Sequence, residues 1–275
     1  MASCPGLKAG ISTAEVGRAF LNIYQAKDGS GWEQHGFTAE NLGEDQEKLF
    51  QFLILVSYDR AQFGRYELII NPQIENSIHR VLINEPTGIF SLDRLTRKCK
   101  EWGSETEAEQ HIDMILSRLK ANERHLNSVR RNAKKSCYAK TFIDCMNSVH
   151  IIQEMVVSAT CGRDAWRLWR RLQDIHNIGP TIAAKFVKYT LREMHMGNVP
   201  QTELYHISTF LLAELHNKEF FNRLEKARRG ITNEIIDYVN SEDPMAIDAA
   251  FIIDREYCKK RDKIVECPLA KYHRR

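Results

Sequence analysis

The stretch His176-Asn-Ile-Gly-Pro-Thr-Ile-Ala-Ala-Lys185 joins two segments with helical periodicity, and it decides the fold that we predict. In the segment before it, Trp166, Trp169 and Leu172 share one helical face. In the segment after it, apolar residues recur at helical spacing as far as Leu191. The pattern therefore predicts two helices joined by a tight hairpin.

The residues of the turn predict a binding site for an anion. Gly179 can take backbone angles that a Cβ disfavours, and Pro180 suits the first turn of a helix. We expect the amides around Ile178, Gly179 and Thr181 to be unpaired and to point out of the second helix's N-terminus. Such amides suit a phosphate. Taken alone, the turn equally fits an ordinary corner between two helices.

Three stretches in order resemble the base-excision DNA glycosylases related to endonuclease III. Their hairpins read Pro-Gly-(Val/Ile)-Gly-x-x-(Thr/Val)-Ala, and Asn177-Ile-Gly179 and Ala183 fit that pattern, with Asn177 replacing the first glycine. Residues 198–208 resemble the family's Val-Pro-Val-Asp-(Thr/Val)-His segment, and residues 255–273 resemble its C-terminal iron–sulfur loop. The resemblance covers about residues 165–273.

The resemblance implies an all-α, two-lobed helix-hairpin-helix fold of the DNA glycosylase type, with a cleft between the lobes. Residues 1–44 would form an N-terminal helix and loop that pack on the C-terminal lobe. Residues 45–158 would form the central lobe, and residues 159–275 the hairpin lobe with its C-terminal loop.

Periodicity by itself predicts a helical chain without strands. Ser12 or Thr13 would cap a first helix that ends near Tyr24, residues 26–43 would be a loop, and the apolar run 49–57 predicts a buried helix that starts from residue 44. Further helices are expected at about 62–71, 73–84, 91–101, 105–121, 122–135, 139–158, 163–175, 181–195, 202–215, 217–239 and 244–257. Their candidate caps are Ser91, Ser104 and Thr141.

Composition narrows the class of protein. The 275 residues are 43% hydrophobic, which is enough to bury a substantial core, and no apolar run is long enough to span a membrane. The first residues lack the charged-then-apolar order of a secretion signal, so we expect none. Seven scattered cysteines suit a reducing cytoplasm rather than a disulfide framework. We expect a cytoplasmic monomer.

The net charge of +3 is too small to indicate a nucleic-acid partner, but local clusters of basic residues favour one. One cluster lies on the helix before the hairpin and another in the C-terminal loop, as expected for a surface that follows a phosphate backbone. The alternative is a set of solvated helix faces. The four clusters are Arg130, Arg131, Lys134 and Lys135; Arg163, Arg167, Arg170 and Arg171; Lys226, Arg228 and Arg229; and Lys259, Lys260 and Arg261.

A glycosylase needs a carboxylate beside the extruded nucleotide, where positive charge develops on the sugar as the base departs. In the family, an Asp two residues after a proline supplies it while capping the next helix. Here Thr202 takes the place of that Asp, and Glu203 is the nearest carboxylate. We therefore expect Glu203 to be catalytic, with Thr202 as the cap. Asp59 and Asp164 are the alternative acids, and Glu203 could instead serve only the helix dipole.

Bifunctional members of the family use a hairpin lysine that forms a Schiff base with the sugar. This chain has Thr181 at that position, so the resemblance implies a monofunctional enzyme without lyase activity. Lys185, one helical turn later, is expected to face phosphate or solvent.

Other expected contacts with duplex DNA follow from the same resemblance. Tyr58 or Asp59 lies where the family often has Leu-Leu-Ser-x-Gln, a segment that fills the gap left by the extruded base, although an ordinary helix end fits as well. The full set of expected DNA contacts is Asn177, Ile178, Gly179, Thr181, Lys185, Arg170, Arg171, Tyr58, Lys259 and Lys260. Trp32 and Tyr205 could stack on the extruded base, but core packing is the better interpretation.

The C-terminal loop lacks the ligands of the family's cluster. Cys258, Cys267 and His273 supply two thiolates and an imidazole, whereas a [4Fe–4S] cluster needs four thiolates. We expect a loop that packs without metal, and no cofactor. A zinc site completed by His195 or Cys161 is the alternative.

Three functions fit these expectations. The first is a monofunctional DNA N-glycosylase of base-excision repair. The second is a non-catalytic DNA-binding protein on the same scaffold. The third is a nucleoside or nucleotide N-glycosidase that acts on a small molecule or RNA.

Overall fold

A computed structural model describes residues 8, 10–25, 31–58, 67–75, 77–119, 138–200, 203, 215–243, 246–247, 249–254, 257 and 266–272. These residues form helices and turns, and none of them lies in a strand. The all-α class predicted from periodicity is confirmed for this part of the chain. Within the same ranges, no helix is long and apolar enough to cross a membrane.

Thirteen α-helices lie within the described residues. They span Thr13–Gln25, Ala39–Glu44, Gln46–Tyr58, Glu67–Ile70, Ile78–Ile83, Leu92–Trp102, Glu105–Arg118, Tyr138–Val157, Gly162–Leu172, Pro180–Val187, Leu215–Ala227, Ile231–Asn240 and Ala249–Ile253. Turns of 3-10 helix occur at Glu33–His35 and Ala270–Tyr272, and a π-helical segment, Lys188–Glu193, continues the helix that begins at Pro180.

Contacts group the chain into two compact units. The terminal unit contains Met1–Gly29, Thr160–Trp166 and Val199–Arg275, and the central unit contains Ser30–Ala159 and Arg167–Asn198. This division differs from the predicted lobes, because most of the hairpin groups with the central unit rather than with the lobe 159–275.

The core of the central unit forms around helix Gln46–Tyr58. Its residues Leu49–Tyr58 are buried except for Gln51, so the predicted buried helix is confirmed. Trp32 is 0% exposed and packs edge-on against Phe52, with ring centroids 4.7 Å apart. Trp32 is thus a core residue, as the sequence analysis favours, and its buried ring is not placed to stack on a base.

The core of the terminal unit brings the first helix against a later one. A Cβ built on Gly17 would lie 2.2 Å from Cδ1 of Tyr238, so glycine permits the close approach of Thr13–Gln25 and Ile231–Asn240. Arg228 donates to the carbonyl oxygen of Ile11 over 3.0 Å at the end of this contact.

Several predicted boundaries are confirmed and others are wrong. Ser91 and Ser104 are N-caps, as predicted, because their hydroxyls accept the amides of Arg94 and Glu107 over 3.5 and 3.2 Å. The predicted loop 26–43 contains the start of a helix, Ala39–Glu44, since Thr38 caps it by accepting the amide of Asn41 over 3.2 Å.

Two other predictions about helices need correction. Thr141 is not a cap, because it lies inside helix Tyr138–Val157. The single helix predicted at 217–239 is two helices, because Gly230 adopts the left-handed φ of 82° between them. The predicted helix 122–135 and most of the predicted helix 202–215 lie outside the described residues.

Candidate nucleic-acid interface

The hairpin consists of a first hairpin helix, Gly162–Leu172, a hairpin loop, residues 173–179, and a second hairpin helix, Pro180–Val187. The left-handed residue of the loop is Asn177, with φ of 66°. Asparagine tolerates this conformation better than most residues with a side chain. Asn177 therefore supplies the left-handed turn of the hairpin loop.

For Gly179 the sequence predicts backbone angles that a Cβ disfavours, but the structure shows otherwise. Its φ of −79° and ψ of 178° are extended angles that any residue adopts. A Cβ built on Gly179 would meet nothing within 4 Å, so the backbone here is open on one side. The missing side chain leaves room for an approaching molecule rather than relieving strain.

The N-terminus of the second hairpin helix presents backbone amides that have no acceptor within the described part of the chain. The carbonyl oxygen of Gly179 accepts the amide of Ala183 over 2.9 Å, which makes Gly179 the N-cap. Among the described residues, no acceptor faces the amides of Gly179, Thr181 and Ile182. The predicted contribution of Ile178 is wrong, because its amide donates to Ile175 over 3.1 Å and its side chain is 2% exposed.

Contacts from helix Tyr138–Val157, the supporting helix, hold the hairpin loop. The hydroxyl of Thr141 donates to the carbonyl oxygen of His176 over 2.9 Å and accepts the side-chain amide of Asn177 over 3.0 Å. Asp144 accepts the backbone amide of His176 over 2.9 Å. Sequence reasoning missed both anchors, since nothing local to either residue indicates a partner more than 30 positions away.

The residues predicted to bind DNA differ in their exposure to solvent and in whether they form ion pairs within the protein. Arg170 is exposed, whereas Arg171 forms an ion pair with Asp174 over 2.9 Å. Thr181 and Lys185 are half-buried at the start and the end of the second hairpin helix. Among the predicted cations within the described residues, Arg170 is thus the one most exposed to solvent.

A hollow of about 380 Å³ lies beside the loop. It is lined by Lys140, Asp144, Gln173, Asp174, Ile175, His176, Asn177, Ile178 and Gly179. Hydrogen bonds to Glu105 and Asp144 raise the pKa of the Lys140 ammonium above its ordinary value. The Lys140 charge is therefore compensated by these carboxylates.

Tyr58 does not fit the role of an inserted side chain. It is 8% exposed, and its ring stacks on Tyr138 with centroids 4.3 Å apart and an angle of 10° between the rings. The prediction for Tyr58 is wrong, because the apolar end of its helix buries the ring in the core. Asp59, the other candidate in that segment, lies outside the described residues.

Two candidate carboxylates lie near the N-terminus of the first hairpin helix, within the terminal unit. Glu203 is exposed, and its Oε2 accepts the amide of Gly162 over 2.9 Å. Asp164 accepts the amides of Thr160 and Cys161 over 3.0 and 3.3 Å, and the Thr160 amide lowers the pKa of the Asp164 carboxyl below its ordinary value. Asp164 therefore secures the start of the helix. Thr202 lies outside the described residues.

The C-terminal loop offers little to a metal. Cys267 is 5% exposed, and no group of three or more His, Cys, Asp and Glu side chains within the described ranges could hold a metal ion. The thiol of Cys161, one suggested zinc ligand, donates to Asp164 over 3.3 Å. The residues do not fit the family's cluster, and the expected absence of a cofactor stays a prediction. The remaining predicted residues, Cys258, Lys259, Lys260 and His273, lie outside the described residues.

The chain matches no protein-family model, no curated protein and no solved structure.

Proposed function

We propose that the protein binds duplex DNA through the hairpin and acts as a monofunctional DNA N-glycosylase. It extrudes an altered base and hydrolyses the N-glycosidic bond, leaving an abasic site. The observation that carries the proposal is the set of amides at Gly179, Thr181 and Ile182, which meet no acceptor within the described residues.

The geometry of these amides suits a phosphate for two physical reasons. Unpaired amides at a helix N-terminus donate to an anion, and the helix dipole adds a partial positive charge there. The open space at Gly179 lets a backbone phosphate approach without steric conflict. Because such contacts ignore base identity, they support binding to the DNA backbone rather than recognition of a sequence.

Glu203 is the described residue that best fits the catalytic carboxylate. Oε2 is held by the amide of Gly162 at 2.9 Å, and Oε1 meets no donor among the described residues. A carboxylate fixed by one oxygen can present the other to the positive charge that develops on the sugar. Thr181, in place of the family's lysine, supplies no amine nucleophile.

The proposal is tested with purified protein and duplexes that carry an oxidised, alkylated, deaminated or mismatched base. Alkali then cleaves each strand at any abasic site that has formed. We expect cleavage of at least one substrate, and none before alkali is added. Retained duplex binding without excision of any base would reject the enzymatic half of the proposal.

The contact between Glu203 and Gly162 also favours a second candidate function. In a non-catalytic DNA-binding protein, Glu203 would serve only to satisfy an amide at the start of a helix. This candidate keeps the phosphate-binding hairpin and predicts tight, salt-dependent binding to duplex DNA without base release. A nucleoside N-glycosidase, in contrast, would release base from free nucleosides and show no such affinity.

A further inference from the structure

The hairpin loop is held from outside by hydrogen bonds that converge on one peptide. Thr141 is 0% exposed, and its hydroxyl contacts residues on both sides of the bond between His176 and Asn177. It donates to the carbonyl oxygen of His176 over 2.9 Å and accepts the amide of the Asn177 side chain over 3.0 Å. One buried hydroxyl thus serves as donor and acceptor for the loop.

A second residue of the supporting helix completes the attachment. Asp144 lies one helical turn after Thr141, on the same face, and accepts the backbone amide of His176 over 2.9 Å. The backbone of His176 is therefore bound through its amide and its carbonyl group to a single helix. This arrangement fixes the residue immediately before the left-handed Asn177.

Asn177 needs such support because of its backbone conformation. Residues with a side chain rarely adopt a φ near 66°, and this φ persists only where the surroundings stabilise it. The direction in which the chain leaves Asn177 sets the position of Gly179 and of the amides that follow. An error at Asn177 would therefore move the proposed phosphate contacts.

We infer that Thr141 is a positioning residue, which holds Asn177 in its left-handed conformation and so preorganises the amides of the hairpin for phosphate. This inference rests on the proposed DNA-binding function of the hairpin. Thr141 itself contacts no phosphate. Its effect on affinity passes through the hairpin loop.

The test compares Thr141→Val with Thr190→Val as a matched control. Valine keeps the shape of threonine and removes the hydroxyl. Thr190 is also 0% exposed, but its hydroxyl donates to Phe186 over 2.9 Å, inside its own helix. Each variant loses one buried hydroxyl with two hydrogen-bond partners, which are His176 and Asn177 for Thr141 and the carbonyl oxygens of Phe186 and Val187 for Thr190. The two variants should therefore lose comparable unfolding free energy. A change in the hairpin loop that occurs only in Thr141→Val would then show the positioning role.

Two measurements on the whole protein follow. Hydrogen exchange of peptides that cover residues 175–185, without DNA, should be faster in Thr141→Val than in the wild type and in Thr190→Val. Affinity for a duplex oligonucleotide at fixed salt should fall about tenfold in Thr141→Val and much less in the control. Thr141→Ser restores the hydroxyl and should recover both values.

Equal exchange rates and equal affinities in Thr141→Val and Thr190→Val would overturn the inference. If the wild type binds no duplex, the proposed function fails. The exchange rates, measured without DNA, still decide whether Thr141 orders the loop.

Discussion

The indole N–H of Trp169 donates a hydrogen bond to the carbonyl oxygen of Pro180 over 3.0 Å. Trp169 belongs to the first hairpin helix, and Pro180 is the first residue of the second. The bond therefore closes the hairpin directly between its two helices, in addition to the anchors from the supporting helix. It fixes the helix N-terminus whose amides are proposed to bind phosphate.

Trp169→Phe should loosen the hairpin, because phenylalanine keeps an aromatic ring but has no N–H to donate. We expect the unfolding free energy to fall by about 1 kcal/mol and duplex affinity to fall with it. Trp102→Phe is the control, since the Trp102 ring stacks on His111 with centroids 5.0 Å apart. Denaturant unfolding and DNA titration measure both effects. An affinity in Trp169→Phe equal to that of Trp102→Phe would show that the bond to Pro180 does not support binding.

Gly179→Asp should weaken duplex binding at least about tenfold without harming the fold. The position has ordinary backbone angles and free space for a side chain. Aspartate is also a favoured N-cap, so it can accept the open amides itself while its charge repels phosphate. Affinity and stability should consequently change in opposite directions.

Gly179→Ala is the matched control for this prediction, because it adds a Cβ but no acceptor and no charge. We expect its duplex affinity to fall much less than that of Gly179→Asp, because the Cβ takes up part of the open space but adds no negative charge. Titrations against one duplex at several salt concentrations, with circular dichroism to verify folding, give the comparison. Unchanged affinity in a folded Gly179→Asp protein would reduce the hairpin to an ordinary helical corner.

Glu203→Gln should separate charge from structure at the proposed catalytic site. The glutamine oxygen can still accept the amide of Gly162, so the contact at the helix start is preserved. Loss of the charge should slow excision by roughly a hundredfold or more, with little change in DNA affinity. Single-turnover excision assays measure the rate. A wild-type rate in Glu203→Gln would move the search for the acid to Asp59 and Asp164.

Asp164 should stabilise the folded protein at neutral pH and should lose this effect at acidic pH. The amide of Thr160 lowers the pKa of this carboxyl in the folded protein, so its contribution is present above the unfolded pKa and is lost as pH falls through the folded pKa. As the pH falls through the unfolded and then the folded pKa of this carboxyl, Asp164→Asn should therefore lose less unfolding free energy than the wild type. Asp113→Asn, at an exposed position of helix Glu105–Arg118, is the control. Parallel pH profiles for the wild type and Asp164→Asn would contradict this role.

Thr181 leads to a prediction about the course of the reaction. Without an amine at this position, the protein should form no covalent adduct with DNA that borohydride can trap. Strand breaks should appear only after alkali or heat. Electrophoresis of borohydride-treated reactions tests this, and a trapped adduct would require another amine to act as nucleophile.

The elements that the sequence predicts well depend on neighbours within one or two helical turns. Ser91 and Ser104 cap their helices through amides three residues away, a short-range interaction that the local pattern reveals. The buried helix Gln46–Tyr58 follows from its continuous apolar run. The hairpin itself follows from the Gly179-Pro180 pair between two amphipathic segments. Gly230 is also a local signal for a helix end, and it divides the helix predicted at 217–239 into two.

Only the tertiary structure shows which partners a side chain contacts when those partners are distant in the sequence. The pattern around Thr141 suggests a helix cap, yet its hydroxyl binds residues 35 and 36 positions away in the hairpin loop. Tyr58 lies at a plausible helix end, but packing against Tyr138 buries it. Local periodicity determines the helices, because their hydrogen bonds are short-range. Packing determines which polar groups remain open to a ligand, because partners remote in sequence compete for them.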